Sequence, residues 1–452
     1  MNTSFFGELL QTISERGRAL LARDRRADIS ARSESLVELC EDLLSGRGEA
    51  SGVALAREIL SGYAALTTGP RIAFFEALAE RFGTDPARLE QAVAAWRANP
   101  SDASAAEVHG ASEPRRQELF RRINLAPGGT AALVRMREQL MDVLEHREDL
   151  SAVDADFVHL FSSWFNRGFL VLRRIDWSTP AIVLEKIIRY EAVHEIHDWE
   201  DLRGRIDPPD RRCYAFFHPA LVDEPLIFVE VALTREIPAA IAPILAKERE
   251  IAESDKARTA TFYSISNCQR GLTGVSFGNF LIKQVVEEVS REMPKLSTYV
   301  TLSPVTNFAA WLKRERVEEK SAALTEADKM VLVALDQPGW WRNKEIAQQI
   351  QDTVMRAAAW YYVRARNARG APIDTVARFH LGNGARLERI NWLADTSDRA
   401  MTQAYGLMVN YLYDVDEIEK NHEVYADSRT VVASSTVQRL LRPPLELVPI
   451  AG

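Results

Sequence analysis

The stretch from Thr259 to Val305 limits what this chain can fold into more than any other. A β-rich run, Ala260 to Ser266, meets a turn carrying Gly271, Gly274 and Gly278. A long amphipathic helix is expected next. Leu281, Val285, Val289 and Met293 recur every fourth residue, Ile282 and Val286 widen the stripe, and Pro294 stops it. A second β-rich run then ends at Ser303-Pro304. Strand, glycine turn, helix and strand outline a phosphate cradle, because the turn frees backbone N–H groups and the helix N-terminus adds the positive end of its dipole. The bland alternative is that these glycines only let helix and strand pack closely.

The remainder divides near Phe165. Residues 1–165 read as helix after helix, with helical spacing at Leu36, Leu39, Leu43 and Leu44 and again at Leu133, Met136, Leu140, Val143 and Leu144. This half is expected to be an all-α helical bundle used for docking or oligomerisation. Residues 166–452 mix both kinds of element. GFLVLRRIDW reads as a strand, and TPAIVLEKIIRYEAVHEI as a helix with Thr179 as cap and Pro180 in its first turn. RRCYAFFHP and PLIFVEVALT read as an antiparallel pair joined through Asp223-Glu224-Pro225, and a helix is expected around Ile237 to Lys247. Further on, Phe379-His380 precede Gly382-Asn383-Gly384, where Asn-Gly predicts a tight turn between two short strands. The polar tail from Glu417 is expected to be less ordered, apart from a helix near Ser434 to Leu441.

Composition excludes several function classes. Apolar residues make up 46% and charged residues 27% of 452 positions, values of a globular chain with its own core. A net charge of −8 argues against nucleic acid as the main partner. The apolar run near Ile237 to Ala246 is too short to span a bilayer, and the N-terminal stretch reads as an amphipathic helix rather than a signal peptide, so no membrane role and a cytoplasmic location are expected. Cys40, Cys213 and Cys268 are widely spaced, which fits a reducing compartment and offers no zinc motif. His194-x-x-His197 lacks a third ligand in view, so no metal site is expected. Arg270 is as readily a solvated arginine as a phosphate ligand.

The order of elements after residue 165 resembles the acetyltransferase-like fold of the GNAT superfamily, an α/β fold built on a mixed sheet. In that fold the glycine turn holds the pyrophosphate of coenzyme A, and the pantetheine arm lies between two splayed strands. The wording is closer still. FYSISNCQRGLTGVSFGNFLIKQVV, TLSPVTNF, ARFHLGNGARLERINWLAD and YGLMVNYLY resemble the malonyl-CoA decarboxylase family, as do EKIIRYEAVH and RRCYAFF. The likeness runs through most of residues 165–415 in matching order.

The resemblance implies conversion of malonyl-CoA to acetyl-CoA and CO2 without metal, biotin or pyridoxal, and a homo-oligomer assembled through the helical domain. It implies a serine from an L-S-P motif, here Ser303, paired with a histidine from an F-H-L-x-N-G motif, here His380. It adds Tyr413 and Lys186 to the catalytic set. It assigns the acyl-CoA loop to Thr273, Gly274, Val275, Ser276, Phe277, Gly278 and Asn279. Animal members carry a glutamate where this chain has Ser276, so a role for that carboxylate does not transfer. Taken without the resemblance, His380 reads as a buried structural histidine and Ser303 as a routine serine at a strand end. With it, His380 is expected to donate a proton to the enolate left by decarboxylation, and Ser303 to hydrogen-bond the malonyl carboxylate or exchange a proton with His380. The competing expectations are an acyl-CoA N-acyltransferase of the same fold and a non-enzymatic malonyl-CoA sensor.

Overall fold

The computed structural model describes residues 34–45, 48–275 and 281–441. They group into two compact units. One holds the described chain up to Leu170 together with segments 218–224 and 269–275, and the other holds the remaining described residues.

The first unit is helical, with Glu34–Leu44, Glu49–Ala64, Thr68–Glu80, Pro86–Ala98, Asp102–Ser112, Arg115–Asn124, Gly129–Leu144 and Ser151–Trp164 as its main elements. Local chemistry sets their starts. Asp85 accepts from the N–H groups of Ala87 and Arg88 ahead of Pro86, and Ser101 and Ser104 cap each other reciprocally. The apolar faces meet in an aromatic core where Phe120 stacks on Phe157 at 4.2 Å between ring centroids. Buried Arg116 and Asp156 pair within this unit, and Gln117 satisfies the second carboxylate oxygen.

The second unit is built on an eight-stranded mixed sheet. Its strands are β1 (Val171–Ile175), β2 (Arg211–Phe217), β3 (Pro225–Thr234), β4 (Thr259–Asn267), β5 (Thr298–Thr301), β6 (Ser303–Pro304), β7 (Arg386–Asn391) and β8 (Met408–Leu412). The order is β1-β2-β3-β4-β5-β8-β6, with β7 paired to β8. The β2–β3 hairpin is antiparallel, and β4 pairs β5 in parallel from Thr259↔Thr298 to Phe262↔Thr301. Beyond that register the strands part. Leu302 N–H still donates to the Phe262 carbonyl, but Ser303 pairs with Val409 of β8 while β4 continues to Asn267. The two strands therefore splay, as expected from the sequence.

Helix Leu281–Glu292 buries Leu281, Ile282, Val285, Val286 and Val289, the face read from the sequence. Glu292 at its end accepts from Tyr214 and Arg212 of β2, at 2.8 and 3.0 Å, which ties the helix to the sheet. Helices Ala181–Tyr190 and Trp199–Ile206 pack Val183, Leu184, Ile187, Leu202 and Ile206 against Cys213, Ala215 and Phe217 of β2.

Four local expectations change. Thr179 does not cap its helix: Pro180 is the N-cap residue, and the Thr179 hydroxyl instead accepts from Asp176 N–H. Only Ala242–Leu245 is helical between Ile237 and Lys247, where Pro238 and Pro243 remove backbone donors and the carbonyls of Ile237 and Pro238 bind Arg389. Asn383-Gly384 joins helix Thr375–Gly382, which carries His380, to β7 rather than joining two strands, because Asp374 caps that helix and Gly384, at φ +83°, ends it. The segment after Glu417 forms helix Ile418–Ser428, burying Ile418, Asn421 and Tyr425 on one face.

Candidate active site

Three segments far apart in sequence converge in the second unit. β6 presents Ser303, helix Thr375–Gly382 presents His380, and the residue after β8 is Tyr413. Ser303 Oγ lies 3.1 Å from His380 Nε2, although 77 positions separate them in the chain. His380 Nδ1 lies 2.8 Å from the Tyr413 hydroxyl. All three residues are buried. Tyr411 stacks on the imidazole at 4.5 Å and fixes the ring plane, and Phe262 sets its edge against Tyr413.

The hydrogen bonds run in one direction. Ser303 Oγ donates to Thr301 Oγ1 at 2.9 Å. The tautomer consistent with that donation carries its proton on Nε2, directed at the Ser303 oxygen. Nδ1 then carries a lone pair, which accepts from Tyr413. Burial raises the Tyr413 phenol well above its ordinary value, so its proton stays on oxygen. Burial also pushes the His380 imidazole down to about 3, so the free enzyme holds it neutral near pH 7. The result is a neutral relay, Tyr413 to His380 to Ser303 to Thr301, whose N–H end faces the serine.

Sequence reading missed the supports of this relay. Thr301 Oγ1 also accepts from Tyr411 N–H, and the Thr301 carbonyl accepts from fully buried Asn410 at 2.8 Å. Asn391 and Arg389 in turn donate to Asn410 Oδ1. One signal was available. Thr301 and Ser303 alternate along an extended segment, which places both hydroxyls on one face.

The other expected residues are placed as follows. Lys186 is half-buried on helix Ala181–Tyr190 and is not among the partners of Ser303, His380 or Tyr413. Thr273, Gly274 and Val275 belong to the helical unit, whereas Ser276, Phe277, Gly278 and Asn279 lie outside the described residues. Arg137, on helix Gly129–Leu144, donates to the carbonyls of Gly271 and Thr273, each at 2.8 Å, while Asp154 holds its Nε at 2.8 Å. A Cβ on Gly271 would sit 2.1 Å from the Val134 carbonyl oxygen, so only glycine permits this approach. Arg270 pairs with Asp142 of the same helix rather than standing free.

Residues 168–449 match the malonyl-CoA decarboxylase C-terminal domain, and residues 82–165 match the corresponding N-terminal domain. The chain belongs to the malonyl-CoA decarboxylase family. It is 34% identical over 399 residues to mitochondrial malonyl-CoA decarboxylase of Rattus norvegicus, covering 80% of each chain. Its likeness to the Anser anser anser enzyme is 35% over 351 residues, 72% of this chain and 69% of that one. The crystal structure of malonyl-CoA decarboxylase from Rhodopseudomonas palustris superposes with a TM-score of 0.87 at 58% identity, covering 90% of this chain and 99% of the other. That from Agrobacterium vitis gives 0.87 at 55% identity, covering 90% and 100%. Malonyl-CoA decarboxylases are carboxy-lyases, and the chain is an enzyme of that class.

Proposed function

We propose that the chain decarboxylates malonyl-CoA to acetyl-CoA and CO2 at Ser303 and His380. The observation that carries the reading is the buried relay, with contacts of 3.1 and 2.8 Å at the two imidazole nitrogens. Malonyl-CoA carries a carboxylate β to its thioester carbonyl. When CO2 leaves, the electron pair of the broken C–C bond stays on C2 and spreads onto the thioester oxygen. The carbonyl is therefore its own electron sink, and the reading calls for no metal, biotin or pyridoxal.

The protein must then hold the carboxylate and deliver one proton to C2. Ser303 can turn its O–H from Thr301 to the substrate carboxylate. That negative charge, brought beside a buried imidazole, favours the imidazolium. His380 then takes a proton from solvent, and the Tyr413 hydroxyl rotates to accept from Nδ1–H. Once CO2 has left, Nε2 gives its proton to C2, which forms acetyl-CoA and leaves the ring neutral with its proton on Nδ1; release of that proton to solvent and uptake of one at Nε2 then close the cycle. Positioned general acids of this kind contribute about 10²- to 10⁴-fold.

The test is to incubate pure protein with malonyl-CoA and excess EDTA and follow acetyl-CoA by mass. The parent is expected to form it with no acceptor present, and His380→Asn to lose about 10²-fold or more in kcat. An acyltransferase would leave malonyl-CoA intact until an amine was added. Parental turnover by His380→Asn would remove His380 from the mechanism.

A further inference from the structure

Asp374 is 1% exposed, and the partners of its carboxylate among the described residues are neutral donors. Oδ1 accepts from Ala377 N–H at 2.8 Å, which caps the helix carrying His380. Oδ2 accepts from the N–H and the hydroxyl of Thr306, at 3.1 and 3.0 Å. The Tyr361 hydroxyl donates to the Thr306 carbonyl at 2.8 Å and reaches Oδ2 at 3.5 Å. Burying a carboxylate that makes no ion pair among the described residues is costly. A helix cap alone does not require that cost, since Ser or Asn caps about as well without a charge. The second oxygen accounts for the acid: it binds a segment 68 positions away in the chain.

That segment carries the other reacting side chain. Thr306 follows Ser303 by three residues, and Ala377 precedes His380 by three. Both elements are short and hold themselves weakly. β6 is two residues long, and the His380 helix is eight. We propose that Asp374 is a positioning residue, which sets the separation of Ser303 and His380 by holding Ala377 N–H on one segment and both the N–H and the hydroxyl of Thr306 on the other through one carboxylate. The proposal rests on reading Ser303 and His380 as the reacting pair.

Asp374→Asn is the sharpest variant. Whichever way the amide turns, its NH2 meets a backbone N–H, that of Ala377 or that of Thr306, so one backbone contact is lost at constant shape. A displacement near 1 Å in a reacting pair costs about 100-fold. In the full-length enzyme kcat is therefore expected to fall by about 30- to 100-fold, with KM for malonyl-CoA within about threefold of the parent. Placed in a His380→Asn background, the same change should cost less than about threefold, because the geometry it protects no longer matters there. Thr306→Val, which keeps the backbone N–H and removes the hydroxyl, should lose about tenfold in kcat and serves if Asp374→Asn does not fold.

A folded Asp374→Asn with kcat within twofold of the parent overturns the proposal. An equal loss in both backgrounds also overturns it, since Asp374 would then support only the fold. So does a parental kcat in Thr306→Val. A parental rate for His380→Asn by itself removes the reacting pair and this proposal with it. A normal loss there beside an unaffected Asp374→Asn removes the proposal alone.

Discussion

A buried neutral histidine leaves a mark on stability as well as on rate. The folded pKa of His380, about 3, lies below the usual value of 6.5. Between those values the unfolded chain binds a proton that the folded chain does not, so stability rises with pH across this window and is lost as pH falls through it. The slope is about 1.4 kcal/mol per pH unit for one such group. His194, pushed down to about 4 by burial and then by Arg205, adds a second contribution that is exhausted sooner on the acid side. In His380→Asn the first contribution disappears. Urea unfolding between pH 6 and 4 should then show an acid limb shallower by about 1.4 kcal/mol per unit than the parent. Equal slopes in the two proteins would mean that His380 is charged in the folded state.

The element scale shows where sequence reading stops. Asn383-Gly384 carries a turn signal, but the same pair also ends helices, and here Gly384 ends the one that bears His380. A Cβ at Gly384 would lie 2.1 Å from the Ile418 carbonyl oxygen, on a residue already at φ +83°. Gly384→Ala should therefore cost about 3 kcal/mol or more, read as a lower urea midpoint with unchanged m-value. A loss below about 0.5 kcal/mol would show that the helix end yields easily. Helix Leu281–Glu292 was readable because its apolar stripe is unbroken. Helix Ile418–Ser428 was not, because its three buried residues are scattered among charges. Ser303 and His380 were found by motif wording, whereas Thr306 with Asp374 and Thr301 with Asn410 were not. Those pairs join side chains to backbone groups 68 and 109 positions away, which no local pattern records.

At the scale of the molecule, order along the chain and membership in a unit disagree. Segment 269–275 connects β4 to helix Leu281–Glu292, both in the sheet-bearing unit, yet it belongs to the helical one. The shift from helices to strands near residue 165 was legible, but this return was not. It is held by a close backbone approach at Gly271, by Arg137 and by the pair of Arg270 with Asp142. Arg137→Met keeps the side-chain length and loses both donations. If the resemblance assigns the acyl-CoA loop rightly, KM for malonyl-CoA should rise about tenfold with kcat nearly unchanged. Unchanged KM in a folded variant would separate this loop from substrate binding.

The grip of Arg137 on Gly271 and Thr273 also bears on how such a chain can be cut and recombined. Joining the helical half of one relative to the sheet half of another at residue 165 places the two sides of that grip under different ancestry. A chimera then needs a matched pair, an arginine on one parent and a glycine at the approach on the other. The boundary that looks cleanest in sequence therefore separates Arg137 from the segment it holds and is a poor place for a splice.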